Sequence, residues 1–274
     1  MLPCPLSFVL ALALHLPSNF QPTFRLIHDP DVEDGSVADV FWITHAGGGT
    51  NTLAHRMRTL NVDVNARVHT PWMPMREELI DVQFDGSLVE MASLIAGQIE
   101  AERSKLEKPK PFAVVGHSFG SVLAYRVTCE LVQRGLSPHR LVVLSFPAPD
   151  NLSHERQLHT LSDEMLVTEV DQMFGGIPEN IREDKTALQF FVPGLRFDLG
   201  LLESYQHEPK ILLEVPLVAI CGADDRAVNV AEMHRWKHMT AGQFRLRSMP
   251  GDHFFPLARM PEILEIALWD ISPG

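Results

Sequence analysis

The amino-acid sequence predicts an α/β architecture: a mainly parallel central sheet flanked by helices, interrupted late in the chain by a helical insertion. Three observations carry this reading. Apolar runs of strand length, rich in β-branched residues, recur at residues 39–44, 112–115, 140–146 and 215–221, and such runs read as buried strands. Stretches of helical periodicity alternate with them, and strand–helix alternation specifies a parallel sheet with right-handed crossovers. Between about residues 151 and 209 the alternation stops and the chain reads as consecutive helices.

The chain has 274 residues and a formal net charge of −12. That length can bury one large core, and the acidic balance argues against nucleic acid or an anionic membrane as the main partner. The first 22 residues stand apart from the rest. The stretch Met1–Leu16 contains an apolar core of signal-peptide length, but no Lys or Arg precedes Arg25, as a secretory n-region would require. It is also shorter than the roughly 20 residues that span a bilayer. A signal-like segment and a disordered extension both stay open. Cys4, Cys129 and Cys221 are odd in number and widely spread, so they suit free thiols in a reducing, cytoplasmic setting rather than bridges or zinc ligands. A true signal peptide would instead make the protein secreted.

The globular part is expected to run from residue 23 to 274. Thr23–His28 reads as a first strand and Asp29–Ser36 as an acidic turn. The strand Asp39–Thr44 leads directly into His45-Ala-Gly-Gly-Gly49, and Thr50–Leu60 reads as a helix. A Gly-rich strand-to-helix loop can cradle phosphate, but G-x-G-x-x-G and Gly-Lys-Ser/Thr are both missing here. The loop better suits one half of an oxyanion hole, with the backbone N–H of Ala46 as donor. His45 itself reads as a packing residue. Arg67–Thr70 is a short strand, Pro71–Arg76 a Pro-punctuated loop, and Ser87–Leu106 a long helix.

The stretch Pro111-Phe-Ala-Val-Val-Gly-His-Ser-Phe-Gly120 is the centre of the chain. A buried strand breaks at Gly116, and apolar residues at Val122, Leu123, Tyr125, Val127 and Leu131 suit a buried helix beyond it. Gly116-His-Ser-Phe-Gly120 therefore falls at a strand-to-helix turn, the context that makes G-x-S-x-G a nucleophile elbow. Ser118 would stand at its tip, and the N–H of Phe119, at the start of the helix, would be the second oxyanion donor.

Further on, Arg140–Phe146 is a strand. Helices are expected at Ser162–Phe174, at Asp184–Phe191 and at Gly194–Tyr205, with Pro178, Pro193 and Pro209 as punctuation. This insertion, about 151–209, is a candidate lid. The strand Val215–Cys221 ends at two adjacent carboxylates, Asp224 and Asp225, either of which could orient a histidine. After the strand Gln243–Met249 comes His253, and a last helix covers Pro261–Ile271. The order serine, aspartate, histidine is that of α/β-hydrolases.

These pieces together resemble the type II thioesterases of polyketide and non-ribosomal peptide synthesis, and the related medium-chain thioesterase of fatty acid synthase. The residues that carry the likeness are His45–Gly49, Pro111–Gly120, Leu202-Glu-Ser-Tyr205, Gly222-Ala-Asp-Asp225, Phe244–Arg247 and Pro250–Phe255. The likeness begins near Thr23 and implies an α/β-hydrolase fold with a lid. It also implies catalytic Ser118, Asp225 and His253, with Ala46 and Phe119 as oxyanion donors. Metal and organic cofactors are not needed for this chemistry. An acyl carrier protein bearing a phosphopantetheinyl thioester is the implied partner, and the chain is expected to be a monomer. The sequence departs from the family at Thr44, where Pro is usual, at Phe119, where Met is common, and at Pro71–Glu77, where Leu-Pro-Gly-Arg-Glu is typical. Two other functions use the same features: a secreted carboxylesterase or lipase, and a non-catalytic binding protein of hydrolase fold.

Overall fold

The structure, a computed structural model, describes residues 20–30, 37–106, 110–153, 155–208 and 212–269. The apolar core within 1–16, Cys4 and most of the acidic turn at 29–36 lie outside those residues. Among the described residues no helix is long and apolar enough to cross a membrane.

Strand β1 (Phe24–His28) is followed by β2 (Ala38–Ile43), helix α1 (Thr50–Thr59), β3 (Ala66–Pro71) and α2 (Leu88–Ser104). Ser87 starts α2 with a capping box, its hydroxyl accepting from Glu90 N while the Glu90 carboxylate accepts from Ser87 N. Then come β4 (Phe112–His117), α3 (Phe119–Gln133) and β5 (Arg140–Leu144). The insertion holds α4 (Asp163–Phe174), α5 (Glu179–Glu183) and α6 (Lys185–Glu203). The chain closes with β6 (Leu217–Gly222), α7 (Val230–His234), β7 (Phe244–Met249), α8 (Phe255–Ala258) and α9 (Met260–Leu268).

Among the described residues seven strands form one sheet in the order β1-β3-β2-β4-β5-β6-β7. Only β1 runs antiparallel, paired with β3 at one edge; the other pairings are parallel. Every residue of β2, β4, β5 and β6 is buried. This explains their continuous apolar runs, because a parallel sheet covered on both faces has no solvent side to alternate with. One apolar cluster joins the sheet to α2 and α3, and another joins its opposite face to α1 and α9. A third cluster belongs to the insertion and includes Leu166, Val170, Leu195 and Leu199.

From β2 the chain steps outward to β3, then returns across β2 to β4 and proceeds toward the other edge. The carboxyl ends of β2 and β4 therefore flank a topological switch point, where open α/β sheets bind ligands. His45-Ala-Gly-Gly-Gly49 leaves one of these ends and Ser118 the other.

One expected boundary is wrong. Asp184–Phe191 and Gly194–Tyr205 are not two helices divided at Pro193; α6 is continuous through that proline. Pro193 removes one backbone donor and crowds the preceding turn. Tertiary contacts on the far side outweigh that cost, because Gly194 O and Asp198 are both held by Arg76. The short helix α7 was also not foreseen. Its signal was present as Asn229 and Glu232, which form a reciprocal capping box.

Candidate active site

The turn between β4 and α3 is built by close packing. A Cβ on Gly116 would run into the Gly120 carbonyl, and a Cβ on Gly120 would run into the carbonyl oxygens of Ile43 and Thr44. Only hydrogen at these positions lets strand and helix approach so closely. Ser118, at the tip, has φ +55° and ψ −125°, a strained conformation for a residue with a Cβ. It is held there by Ser118 N donating to Leu144 O at 2.8 Å. Ser121 adds a second tie, its hydroxyl donating to Gly116 O at 2.9 Å and accepting from Leu144 N at 3.0 Å.

His253 lies in the loop between β7 and α8 and is almost fully buried, at 2 % exposure. Its Nε2 is 3.0 Å from Ser118 Oγ, and its Nδ1 is 2.9 Å from Asp225 Oδ2. An ionised carboxylate only accepts, so Nδ1 carries the proton and Nε2 is left to accept from the serine hydroxyl. The neighbouring Asp224 is exposed. Burial alone would raise the Asp225 carboxyl, but the hydrogen bond and charge of His253 and the N–H of Ala227 outweigh it and hold it below the usual carboxylate value. Ala227 N and Val228 N also donate to Asp225 Oδ1, at 2.9 and 3.2 Å, which fixes the carboxylate plane.

Two further histidines pack around the site. His117 Nε2 donates to the His253 carbonyl at 2.9 Å. Burial, helped by the nearby His45 and His253 rings, keeps its pKa well below the ordinary 6.5. His45 meets the rings of His117 and Phe254 edge-on, with centroids 5.2 and 5.1 Å away. Its pKa is pushed down to about 3 by burial and by His253 and Arg76, so at neutral pH both imidazoles are uncharged.

A cavity of about 340 Å³ opens over Ser118. Ala46, Phe119, His253 and Phe254 form the end beside the serine, while Val170, Met173, Phe174, Leu195, Leu199 and Leu202 supply apolar wall from the insertion. Phe174 lies against His253, ring centroids 4.7 Å apart. Glu155, Arg156, Glu203 and Glu232 add charge to the lining. The Glu203 carboxylate, from the quoted stretch Leu202–Tyr205, accepts from Leu158 N and His159 N, tying α6 to the turn before α4. Ala46 and Phe119, the two expected oxyanion donors, thus border the same cavity as Ser118. Phe119 N belongs to the first turn of α3, where backbone N–H groups have no partner within the helix.

The sequence did not reveal Arg76, Glu77 and Asp198. Arg76 and Asp198 form a buried bidentate pair, with Nη2–Oδ1 at 2.6 Å and Nη1–Oδ2 at 2.8 Å. Burial pushes the Asp198 carboxyl up, opposed by Arg76 and by the Gly47 N–H. Glu77 accepts from Thr50 N and Asn51 N at 2.8 and 2.7 Å. Ions buried against partners so distant in sequence leave no local pattern to read. Among the described residues no group of His, Cys, Asp and Glu could hold a metal ion, and Cys129 and Cys221 are buried free thiols.

The thioesterase-domain family profile matches residues 38–268. The gramicidin S biosynthesis protein GrsT of Aneurinibacillus migulanus is 25% identical over 244 residues, covering 86% of this chain and 89% of that protein. The medium-chain S-acyl fatty acid synthase thioesterase of Rattus norvegicus is 27% identical over 244 residues, covering 87% and 88%. Among solved structures, the type II thioesterase BorB from the borrelidin biosynthetic cluster aligns with a TM-score of 0.76 at 25% identity, covering 91% of this chain and 97% of that one.

Proposed function

The chain belongs to the thioesterase-domain family, and we propose that it is a serine hydrolase of acyl thioesters carried on the phosphopantetheine arm of an acyl carrier protein. The observation that carries this reading is the Ser118–His253–Asp225 relay, with contacts of 3.0 and 2.9 Å, at the end of a largely apolar cavity. In this mechanism His253 Nε2 takes the Ser118 proton as Oγ attacks the thioester carbonyl, and Asp225 stabilises the imidazolium. The Ala46 and Phe119 amides hold the negative charge that develops on the carbonyl oxygen. Collapse of the tetrahedral intermediate expels the thiol, which receives the proton from His253, and leaves an acyl group on Ser118. Water, deprotonated by His253, then attacks that ester and releases the acid.

Residues about 151–209 serve as the lid and acyl wall of a hydrolase domain that starts near residue 23. The names of its relatives support a place beside a polyketide, non-ribosomal peptide or fatty acid synthase. The test is trapping. Brief incubation with an acyl-phosphopantetheine thioester, acid quench and peptide mass analysis should find the acyl mass on the peptide containing Ser118. An acyl mass on a residue other than Ser118, with hydrolysis proceeding normally in Ser118→Ala, would reject the serine mechanism.

A further inference from the structure

We propose that Arg76 and Asp198 are positioning residues for the oxyanion-binding loop, a clamp through which α6 of the insertion sets the Ala46 amide against Ser118. The inference rests on the serine-hydrolase reading above and extends it to residues outside the relay.

The loop needs such a clamp. Three consecutive glycines, with Gly47 at φ +73°, have more conformational freedom than any other sequence of their length. An oxyanion donor works only if it is aimed before the reaction begins. Internal bonds are few: Gly48 N donates to His45 O at 2.9 Å, and Thr44 Oγ1 donates to Gly48 O at 2.9 Å. The rest of the restraint comes from outside. Gly47 N, one peptide beyond the Ala46 amide, donates to Asp198 Oδ2 at 2.8 Å. Gly48 O accepts from Arg76 Nη1 at 2.8 Å. Arg76 and Asp198 are locked to each other through two bonds, and Arg76 Nη2 also donates to Gly194 O at 3.3 Å. The next residue, Glu77, holds the start of α1 just past the loop.

The arrangement is costly, which argues that its geometry matters. Met75 and Glu77, on either side of Arg76, have φ of +63° and +49°, the left-handed region that non-glycine residues rarely adopt. The Arg76 and Asp198 side chains are 6% and 0% exposed. Apolar residues of similar shape would serve stability in such a place at least as well as an ion pair. What they would lack is an acceptor for Gly47 N and a donor for Gly48 O.

The clamp also links the two halves of the site. Asp198 sits on α6 between Leu195 and Leu199, both of which border the cavity. An acyl chain packed on those leucines steadies the helix that aims the oxyanion loop. Binding energy from the chain is then expressed in kcat as well as in KM, as expected when remote contacts are used to organise the reacting centre.

The experiment compares wild type, Asp198→Asn and the double variant Arg76→Met/Asp198→Leu, which removes both buried charges together and so avoids stranding one. Circular dichroism and melting establish folding. For each protein, kcat and KM are measured over an acyl-phosphopantetheine series, together with inhibition by an acyl trifluoromethyl ketone, which forms an oxyanion, and binding of an unreactive thioether analogue. The double variant should keep KM and thioether affinity within about twofold and lose kcat by about 10- to 100-fold, somewhat less than removal of a donor itself. The ketone should weaken by the same factor, and Asp198→Asn, which keeps an oxygen acceptor for Gly47 N, should recover part of the loss. Wild-type kcat in the folded double variant would overturn the proposal, as would losses of thioether and ketone affinity in equal measure. Full activity in Ser118→Ala would instead reject the serine-hydrolase reading.

Discussion

His117 makes acid sensitivity a quantitative prediction. The native protein keeps this buried imidazole neutral, because burial and the adjacent His45 and His253 rings hold its pKa well below 6.5. The unfolded chain titrates it near the ordinary value. As pH falls through 6.5, the unfolded state takes up a proton that the native state refuses, so native stability declines; above that value the contribution is fully present. For one group of this kind the loss is about 1.4 kcal/mol between about pH 7.5 and about pH 5.5, whatever the native pKa, provided it lies well below that window. His117→Leu removes the titrating ring while keeping an apolar side chain of similar bulk. It also removes the bond to His253 O and should be less stable at every pH. Urea melts of both proteins across the window show the effect, because the histidines that do not touch His117 contribute equally to each. The wild-type stability curve should fall more steeply with acid, by about 1.4 kcal/mol over the window. Parallel curves would show that His117 takes up its proton in the native state over the same pH range as in the unfolded chain, and that the account of its burial is wrong.

Three other perturbations test the site and its framework. Asp225→Asn should fold normally and lose about 10³- to 10⁴-fold in kcat with little change in KM, as expected when the orienting acid no longer selects the imidazole tautomer; steady-state kinetics decides it. Gly120→Ala places a methyl group against the Ile43 and Thr44 carbonyls, neither of which can turn aside, and should cost about 3 kcal/mol or more in a denaturant titration. Phe174→Ala opens the cavity beside His253 and should improve kcat/KM for longer acyl chains relative to shorter ones by about tenfold, the scale of one added methylene in an apolar pocket.

The sheet and the elbow were readable because their causes are local. Runs such as Phe112–Val115 are apolar without alternation since both faces of the strand are covered. Gly116 and Gly120 mark a place where a strand and its helix touch through backbone. Helices α2 and α4 begin next to Ser87 and Ser162, where the sequence reading starts them, and both serines cap their helices. His253 was legible because it follows a late strand downstream of an acid loop, whereas that loop offered both Asp224 and Asp225 and only the family resemblance pointed to Asp225. Where the sequence reading fell short, the cause was long-range. Pro193 looks like a helix stop in isolation, and only the grip of Arg76 on Gly194 and Asp198 explains why α6 runs through it. Arg76 keeps the arginine of the family's usual Leu-Pro-Gly-Arg-Glu loop, but nothing in the sequence assigns its role, which depends on a partner 122 residues away. A buried ion pair between distant segments has no period, spacing or composition to announce it.

The central claim, that Ser118 cleaves acyl thioesters rather than oxygen esters, is tested most directly by a matched substrate series. Acyl-phosphopantetheine thioesters and p-nitrophenyl esters of the same acids would be given to wild type and Ser118→Ala. The account predicts turnover that prefers the pantetheine thioester and vanishes with Ser118→Ala. Faster cleavage of the oxygen esters with no gain from the pantetheine arm, or thioester turnover that survives loss of the hydroxyl, would contradict it.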